Sequence, residues 1–205
     1  MEIDSNGNII NHDIFESVIK SRIQMTYKKV NKVIEENIVP EGYEEYAESL
    51  KEMKLLADLL RKNKIKRGYI DFDIDESKII VDEIGKAIDI TLRERGAGEK
   101  LIEDFMIAAN ETVATHVNNM ELPFIYRIHG EPNAEKIQKF LKFVGILGYQ
   151  INGQVDKITP RAMQELLDQL REKKEFPLLS GLLLRSMKKA VYDTNNIGHF
   201  GIASK

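Results

Sequence analysis

Residues 69–119 read YIDFDIDESKIIVDEIGKAIDITLRERGAGEKLIEDFMIAANETVATHVNN, and a change of period inside this stretch decides the fold class. Tyr69-Ile70-Asp71-Phe72-Asp73-Ile74 alternates apolar and polar residues. Lys78–Val81 is apolar, and Ala87–Leu92 follows a Glu83-Ile84-Gly85-Lys86 turn. A period of two broken by a glycine turn predicts a small antiparallel meander. The residues from about Glu99 to Asn119 then predict one long helix.

Toward the N-terminus, Met1–Ile10 alternates around Ser5-Asn6-Gly7-Asn8 and predicts a hairpin. Asp13–Glu36 carries Ile14, Val18, Ile23, Met25, Val30 and Val33 at helical spacing, with Asp13 as N-cap. Tyr43–Asn63 predicts a second helix, and the basic run Arg61–Arg67 leads out of it to Gly68. Toward the C-terminus, Pro123–His129 predicts a short strand. Asn133–Gly148 predicts a helix capped by Asn133 and closed near Gly148. Thr159-Pro160 opens another helix running to about Glu172, and Phe176–Lys189 is helical again before an Asn195–Gly198 turn. The sum is an α+β chain, helix-rich, with a small antiparallel sheet and no linker that divides it.

Composition sets bounds around that fold. Of 205 residues, 42% are apolar and 31% charged, the balance of an ordinary globular protein. The absence of cysteine excludes disulfide scaffolds and zinc–thiolate sites and is compatible with a cytoplasmic address. No apolar run approaches a membrane span, and the N-terminus has no signal-peptide pattern. Net charge is −3, from 30 basic and 33 acidic residues, so whole-chain charge lends nothing to nucleic-acid binding.

Several constellations carry a chemical reading beside a plainer one. Asp71, Asp73, Asp75 and Glu76 have the spacing that suits hard cations, but Glu76 stands where a calcium loop needs glycine. The exposed face of a strand explains them better. Glu103, Asp104 and Glu111 lie on the long helix, where glutamates are mostly solvated. The histidines His12, His116, His129 and His199 have no metal-ligand spacing, so packing is the expectation. Nucleophile-elbow, phosphate-loop and zinc-protease signatures are absent. Lys62–Arg67 precedes Tyr69 and Phe72, with Arg93, Arg95 and Lys100 beyond. Cations beside aromatics are what a single-strand RNA groove requires, yet basic residues at a helix end also satisfy its dipole. On these residues alone the dipole reading is the stronger.

Several blocks together resemble the ribonuclease R/ribonuclease II family. They are Ser21–Val30, Arg67–Phe72, Arg93-Glu94-Arg95 with Leu101–Glu111, Tyr126–His129, Leu184–Met187 and Gly198–Ala203, in matching order and spacing from about residue 1 to 205. The resemblance implies an incomplete part of the RNB catalytic domain of a 3′-to-5′ exoribonuclease. Such an enzyme releases nucleoside 5′-monophosphates from single-stranded RNA with Mg2+. It also implies that the family's metal-binding aspartates lie ahead of Met1, and that its catalytic-arginine segment lies past Lys205. The expectation is therefore an excised piece with no catalytic or metal-ligating residue of its own, and an inactive one. Three residues match the family's RNA channel: Tyr27 lines it near the 3′ end, Phe72 stacks on the terminal nucleotides, and Glu103 contacts the 3′-terminal sugar. Arg127 and Arg185 match family positions with structure or phosphate contact as their expected role. Gly98 stands where relatives often have alanine. Single-stranded RNA is the expected partner, with self-association through apolar surface that the excision would expose. The alternatives are a non-catalytic RNA-binding module and a helical protein-interaction domain.

Overall fold

The computed structural model describes residues 1–72, 77–93, 95–149 and 158–204. The chain divides into two compact units, Met1–Asn63 with Glu94–Met120, and Lys64–Arg93 with Glu121–Lys205.

The first unit opens on a hairpin of β1 (Glu2–Ile3) and β2 (Ile9–Asn11). Asp4 builds its turn, with Oδ1 accepting from the backbone N–H of Asn6 at 2.9 Å and of Asn8 at 2.8 Å. Gly7 completes the turn at φ +79° and lies so close to Leu59 that a Cβ would come within 2.7 Å of its Cγ. Three helices follow: α1 (Tyr27–Glu35), α2 (Ala47–Arg67), whose residues to Asn63 belong here, and α3 (Ala97–Asn119). Val30, Val33, Tyr43 and Leu50 form the core, flanked by Ile23, Met25, Ile34, Ala47 and Met53.

The helix expected over 13–36 is realised only from Tyr27 onward; residues 13–26 are neither helix nor strand. The reason lies in burial. Ile14, Val18 and Ile19 are exposed, Val18 completely, so the apolar stripe meets no surface that would reward helix formation. β-branched residues at these positions add to the cost of a helix. The start at Tyr27 is fixed instead by a tertiary bond, from the Thr26 N–H to the hydroxyl of the buried Tyr43 at 3.1 Å.

The N-terminus of α3 is capped from another helix. Its N-cap residue is Gly96, which has no side chain to offer. Asn31 of α1 supplies the missing acceptor, its Oδ1 taking the Gly98 N–H at 2.7 Å, while Glu35 Oε1 takes the Ala97 N–H at 2.6 Å. Glu99 reaches back to the Gly96 N–H at 3.1 Å and accepts from Asn31 Nδ2 at the same distance. Both glycines are needed for this approach: a Cβ on Gly96 would lie 2.1 Å from Asn31 Nδ2, and one on Gly98 2.8 Å from Asn31 Oδ1. Gly98 is thus a packing requirement as well as a weak helix former.

The second unit is built on α4 (Ala134–Ile146), α5 (Pro160–Leu170) and α6 (Phe176–Ser186). Their caps are those the sequence announces. Asn133 accepts from the Lys136 N–H at 3.0 Å, Thr159 from the Ala162 N–H at 3.2 Å, and Gly148 leaves α4 at φ +86°. Leu166, Leu167 and Leu170 of α5 pack with Val144 of α4 and Leu179 and Leu183 of α6, all at most 1% exposed. Truncating such a leucine costs about 2–5 kcal/mol.

Two further antiparallel pairs complete this unit, β3 (Ser77–Val81) with β4 (Ala87–Leu92), and β5 (Tyr126–Ile128) with β6 (Val191–Asp193). The fold is helix-rich α+β as expected, with separate two-stranded sheets in place of one meander. The strand expected from Tyr69 is not one through Phe72. Its alternation is a burial pattern: Ile70 is buried and Phe72 packs on the same core, while the backbone is held by Gly201 O and Gln164 Oε1. Asp73, Asp75 and Glu76 lie outside the described residues. The β3–β4 ribbon leaves Ile79, Val81, Ile88, Ile90 and Leu92 exposed, a surface of the kind on which the self-association expectation rests.

The C-terminal segment is stitched to β5 around two histidines. The Phe200 N–H donates to His129 O at 2.8 Å, and the Gly201 N–H to His129 Nδ1 at 3.2 Å. The His129 and His199 rings meet edge to face at 5.0 Å. Burial, then the neighbouring His129 and Arg127, push His199 down to about 4; burial also lowers His129. Both shifts favour the neutral form of the ring in the folded protein.

Two expectations follow from these contacts. Asn31→Ala strands the buried Gly98 N–H and should lower the unfolding free energy by about 1–2 kcal/mol, read from urea denaturation. For His199 the unfolded chain takes up its proton near pH 6.5 and the folded chain only near 4. Stability should thus fall as pH drops from about 7 toward 5, by on the order of 1 kcal/mol after allowing for the part of the ring that water reaches. His199→Gln should show a flatter urea-midpoint profile across that window, and an unchanged slope would refute the assignment.

Candidate nucleic-acid interface

Two of the three residues matched to an RNA channel belong to the first unit. Tyr27 is the first residue of α1 and is about half exposed (47%). Its position follows from the Thr26–Tyr43 bond behind it and from α3 beside it, where a Cβ on Gly98 would lie 3.5 Å from Tyr27 Cδ1. Together with Met25, Tyr46, Met53, Leu101 and Ile102, Tyr27 lines a largely apolar cavity of about 410 Å³. Glu103 follows Ile102 on α3, in the second turn beyond the cap.

Glu103 carries an ion pair with Arg95, between Oε2 and Nη2. The pair is not a helix-surface i,i+4 contact, because Arg95 precedes the N-cap of α3. It joins the loop ahead of the helix to a side chain two turns in. Asp104, beside Glu103 in sequence, is buried and faces Arg61 of α2 at 3.7 Å, which explains it as part of the packing. Of the acidic residues at the start of α3, Glu103 and Asp104 thus each face an arginine, while Glu99 is held by neutral donors and sits favourably toward the positive end of the helix dipole.

Phe72 belongs to the second unit. It is partly buried against the α4–α6 core, and the N–H of the preceding Asp71 donates to Gln164 Oε1 at 2.7 Å. Gln164 is itself buried and donates onward to Asp168 at 2.8 Å, so the loop bearing Phe72 has a fixed support. Upstream, Lys64 is buried with its ammonium 3.9 Å from the centre of the Tyr69 ring. Lys62, Lys66 and Arg67 are exposed. One member of the basic run is thus a packing residue, and the others remain on the surface. Arg127 and Arg185 are exposed, on β5 and in the last turn of α6.

The histidines expected to serve in packing do so in pairs, His12 Nε2 with His116 Nδ1 at 3.0 Å in the first unit and His129 with His199 in the second. Sequence spacing did not reveal either pairing, since the partners are 104 and 70 residues apart. The cavity beside Tyr27 and the partner of Glu103 were likewise hidden, for the same reason of sequence distance. Among the described residues no three His, Cys, Asp or Glu side chains converge to hold a metal ion. The described residues therefore offer no such ligand set for the magnesium ion that the resemblance implies for the whole enzyme.

A protein-family model, the RNB domain, matches residues 1–205. Ribonuclease R 1 of Lactococcus lactis subsp. lactis is 44% identical over 206 residues, covering 100% of this chain and 25% of that protein. Ribonuclease R of Thermotoga maritima is 43% identical over 208 residues, covering 100% of this chain and 29% of the relative. The solved structure of Mycoplasma genitalium RNase R in complex with ribose methylated single-stranded RNA aligns with a TM-score of 0.93 and 31% identity. That alignment takes in 98% of this chain and 32% of the other. The chain spans between a quarter and a third of the length of these curated relatives. With the match running from the first residue to the last, this chain belongs to the RNB domain family.

Proposed function

We propose that these 205 residues are part of a 3′-to-5′ exoribonuclease and supply a portion of the wall that grips single-stranded RNA. The observation that carries the reading is the alignment, over nearly the whole chain, with an RNase R solved in complex with single-stranded RNA. Tyr27 and Phe72 are the aromatic contacts in this reading. Stacking is tolerant of sequence because every base has a π-face, and it contributes about 1–3 kcal/mol per base. Glu103 is the sugar contact: a carboxylate accepts a hydrogen bond from a 2′-hydroxyl, which separates RNA from DNA at that position. The cytoplasm is the proposed compartment, and no helix among the described residues is long and apolar enough to cross a membrane.

The parent reaction is phosphodiester hydrolysis yielding nucleoside 5′-monophosphates, with Mg2+ as the cofactor of the whole enzyme. No step through the metal is assigned to these residues. The chain by itself is proposed to be inactive, because the resemblance places the metal-binding aspartates and the catalytic arginine outside it.

Two measurements check the reading. The 205-residue chain incubated with a labelled oligoribonucleotide and Mg2+ should release no mononucleotides, and their release would defeat the claim of inactivity. The same chain titrated with single-stranded RNA at low salt should bind. The Tyr27→Ala/Phe72→Ala double variant should bind at least about tenfold more weakly, from the loss of roughly 1 kcal/mol or more per stacked base. Phe72 touches the core, so Tyr27→Ala/Phe72→Leu is the control that keeps its volume while removing the ring. Unchanged affinity in both variants would remove the aromatic assignment.

A further inference from the structure

We propose that Arg95 is a positioning residue for Glu103, holding its carboxylate in the orientation that accepts a sugar hydroxyl and cancelling the charge that would repel RNA phosphates. The inference rests on the reading of Glu103 given above and adds to it a residue that the family resemblance did not assign.

The geometry begins at the cap. Arg95 is one residue ahead of Gly96, whose N–H is held by Glu99, and two ahead of Ala97, whose N–H is held by Glu35. Its backbone is therefore delivered to a fixed place by the same α1–α3 lattice that fixes the start of the helix. From there the guanidinium reaches Glu103 Oε2, eight residues on. A carboxylate has two oxygens and about four acceptor positions, so one bond to Arg95 orients the group without exhausting it.

Magnitudes separate a structural role from a functional one. Arg95 and Glu103 are 37% and 27% exposed, and ion pairs at such exposure add little to stability. Stability is then a weak reason for the pair. Electrostatics toward a polyanion is a stronger one. Glu99, Glu103 and Asp104 crowd the first two turns of α3, and Glu99 and Glu103 are like charges four residues apart. Glu99 is engaged by Asn31 and the Gly96 N–H, and Asp104 by Arg61. Glu103 has Arg95. Without the Arg95 guanidinium the Glu103 carboxylate would present more of its charge to each approaching phosphate, whereas the Arg95–Glu103 pair keeps the acceptor and lessens that repulsion.

Arginine is suited to this task and lysine less so. The planar fork fixes the plane of a carboxylate; an ammonium offers only a point charge. Loss of the fork and loss of the charge therefore have separable consequences.

The test uses the full 205-residue chain and two fluorescent single-stranded oligonucleotides that differ only in a ribose or a 2′-deoxyribose at the 3′-terminal nucleotide. Anisotropy titrations at low salt give the ribose preference. Wild type should prefer the ribose end, and Glu103→Gln should lose that preference by about tenfold, as expected for a hydrogen bond to a charged group. Arg95→Gln should lose a similar factor, and the double variant no more than either single one. Arg95→Lys should recover overall affinity while regaining only part of the preference, and near-wild-type thermal melts for both Arg95 variants would exclude misfolding. If wild type shows no ribose preference, the Glu103 reading fails and this inference with it. If Glu103→Gln loses the preference while Arg95→Gln keeps it, or if Arg95→Gln binds RNA more tightly, only the positioning role of Arg95 is overturned.

Discussion

The start of α3 depends on a side chain that α3 does not own. A helix begins with N–H groups that have no intrahelical partner, and here the N-cap residue is a glycine. Asn31 and Glu35 reach across from α1 to take the Gly98 and Ala97 N–H groups, and Glu99 closes the set by taking that of Gly96. This arrangement is a capping box with one member relocated to another helix. Because the acceptors belong to α1, forming α3 correctly and docking α1 against it are a single event. The absence of Cβ atoms at positions 96 and 98 is what lets the amide of Asn31 enter.

That lattice also sets the candidate interface of the first unit. Tyr27 opens α1, four residues before Asn31. Glu103 lies four residues after Glu99. Arg95 stands immediately ahead of the capped turn. Each therefore lies within a few residues of a hydrogen bond that fixes the backbone, which is the arrangement a binding surface needs if side chains are to be held without being buried. In the second unit the same principle appears in a different form. There Gln164, buried on α5, holds the backbone next to Phe72, so the aromatic ring is supported from a helix although it stands outside any strand.

What could be read from the sequence follows from the range of the interactions involved. Asn133, Thr159-Pro160 and the Glu83–Lys86 turn act within four residues, and all appear where the residue types place them, the turn closed by Asp82. The helix over residues 13–26 failed because periodicity reports only that a stripe would exist; whether anything covers it is a tertiary fact. Tyr69–Phe72 failed more instructively. Its alternation correctly marks Ile70 for burial, yet its backbone hydrogen bonds go to Gly201 and to a glutamine side chain rather than to a strand. The family resemblance could propose Tyr27, Phe72 and Glu103 because motifs retain order and spacing. It gave no role to Asn31, Arg95 or the histidine pairs, whose significance is a contact rather than a motif.

The resulting interface has a consistent electrostatic logic for a chain whose net charge is negative. With 33 acidic and 30 basic residues, bulk attraction to a polyanion is not available, so any affinity for RNA must come from local features. Stacking on aromatic rings such as the half-exposed Tyr27 and the partly buried Phe72 carries no charge and tolerates any base. A carboxylate that reads the 2′-hydroxyl would work against binding unless its own charge were cancelled nearby. In the proposed reading, pairing it with an arginine anchored beside the helix cap resolves that conflict, since the acceptor for the sugar is kept while the phosphates meet a neutral pair. On the proposed reading, removing the arginine alone leaves the hydrogen-bond acceptor in place and still weakens the contact, so the pair, rather than the glutamate by itself, is the proposed unit of recognition.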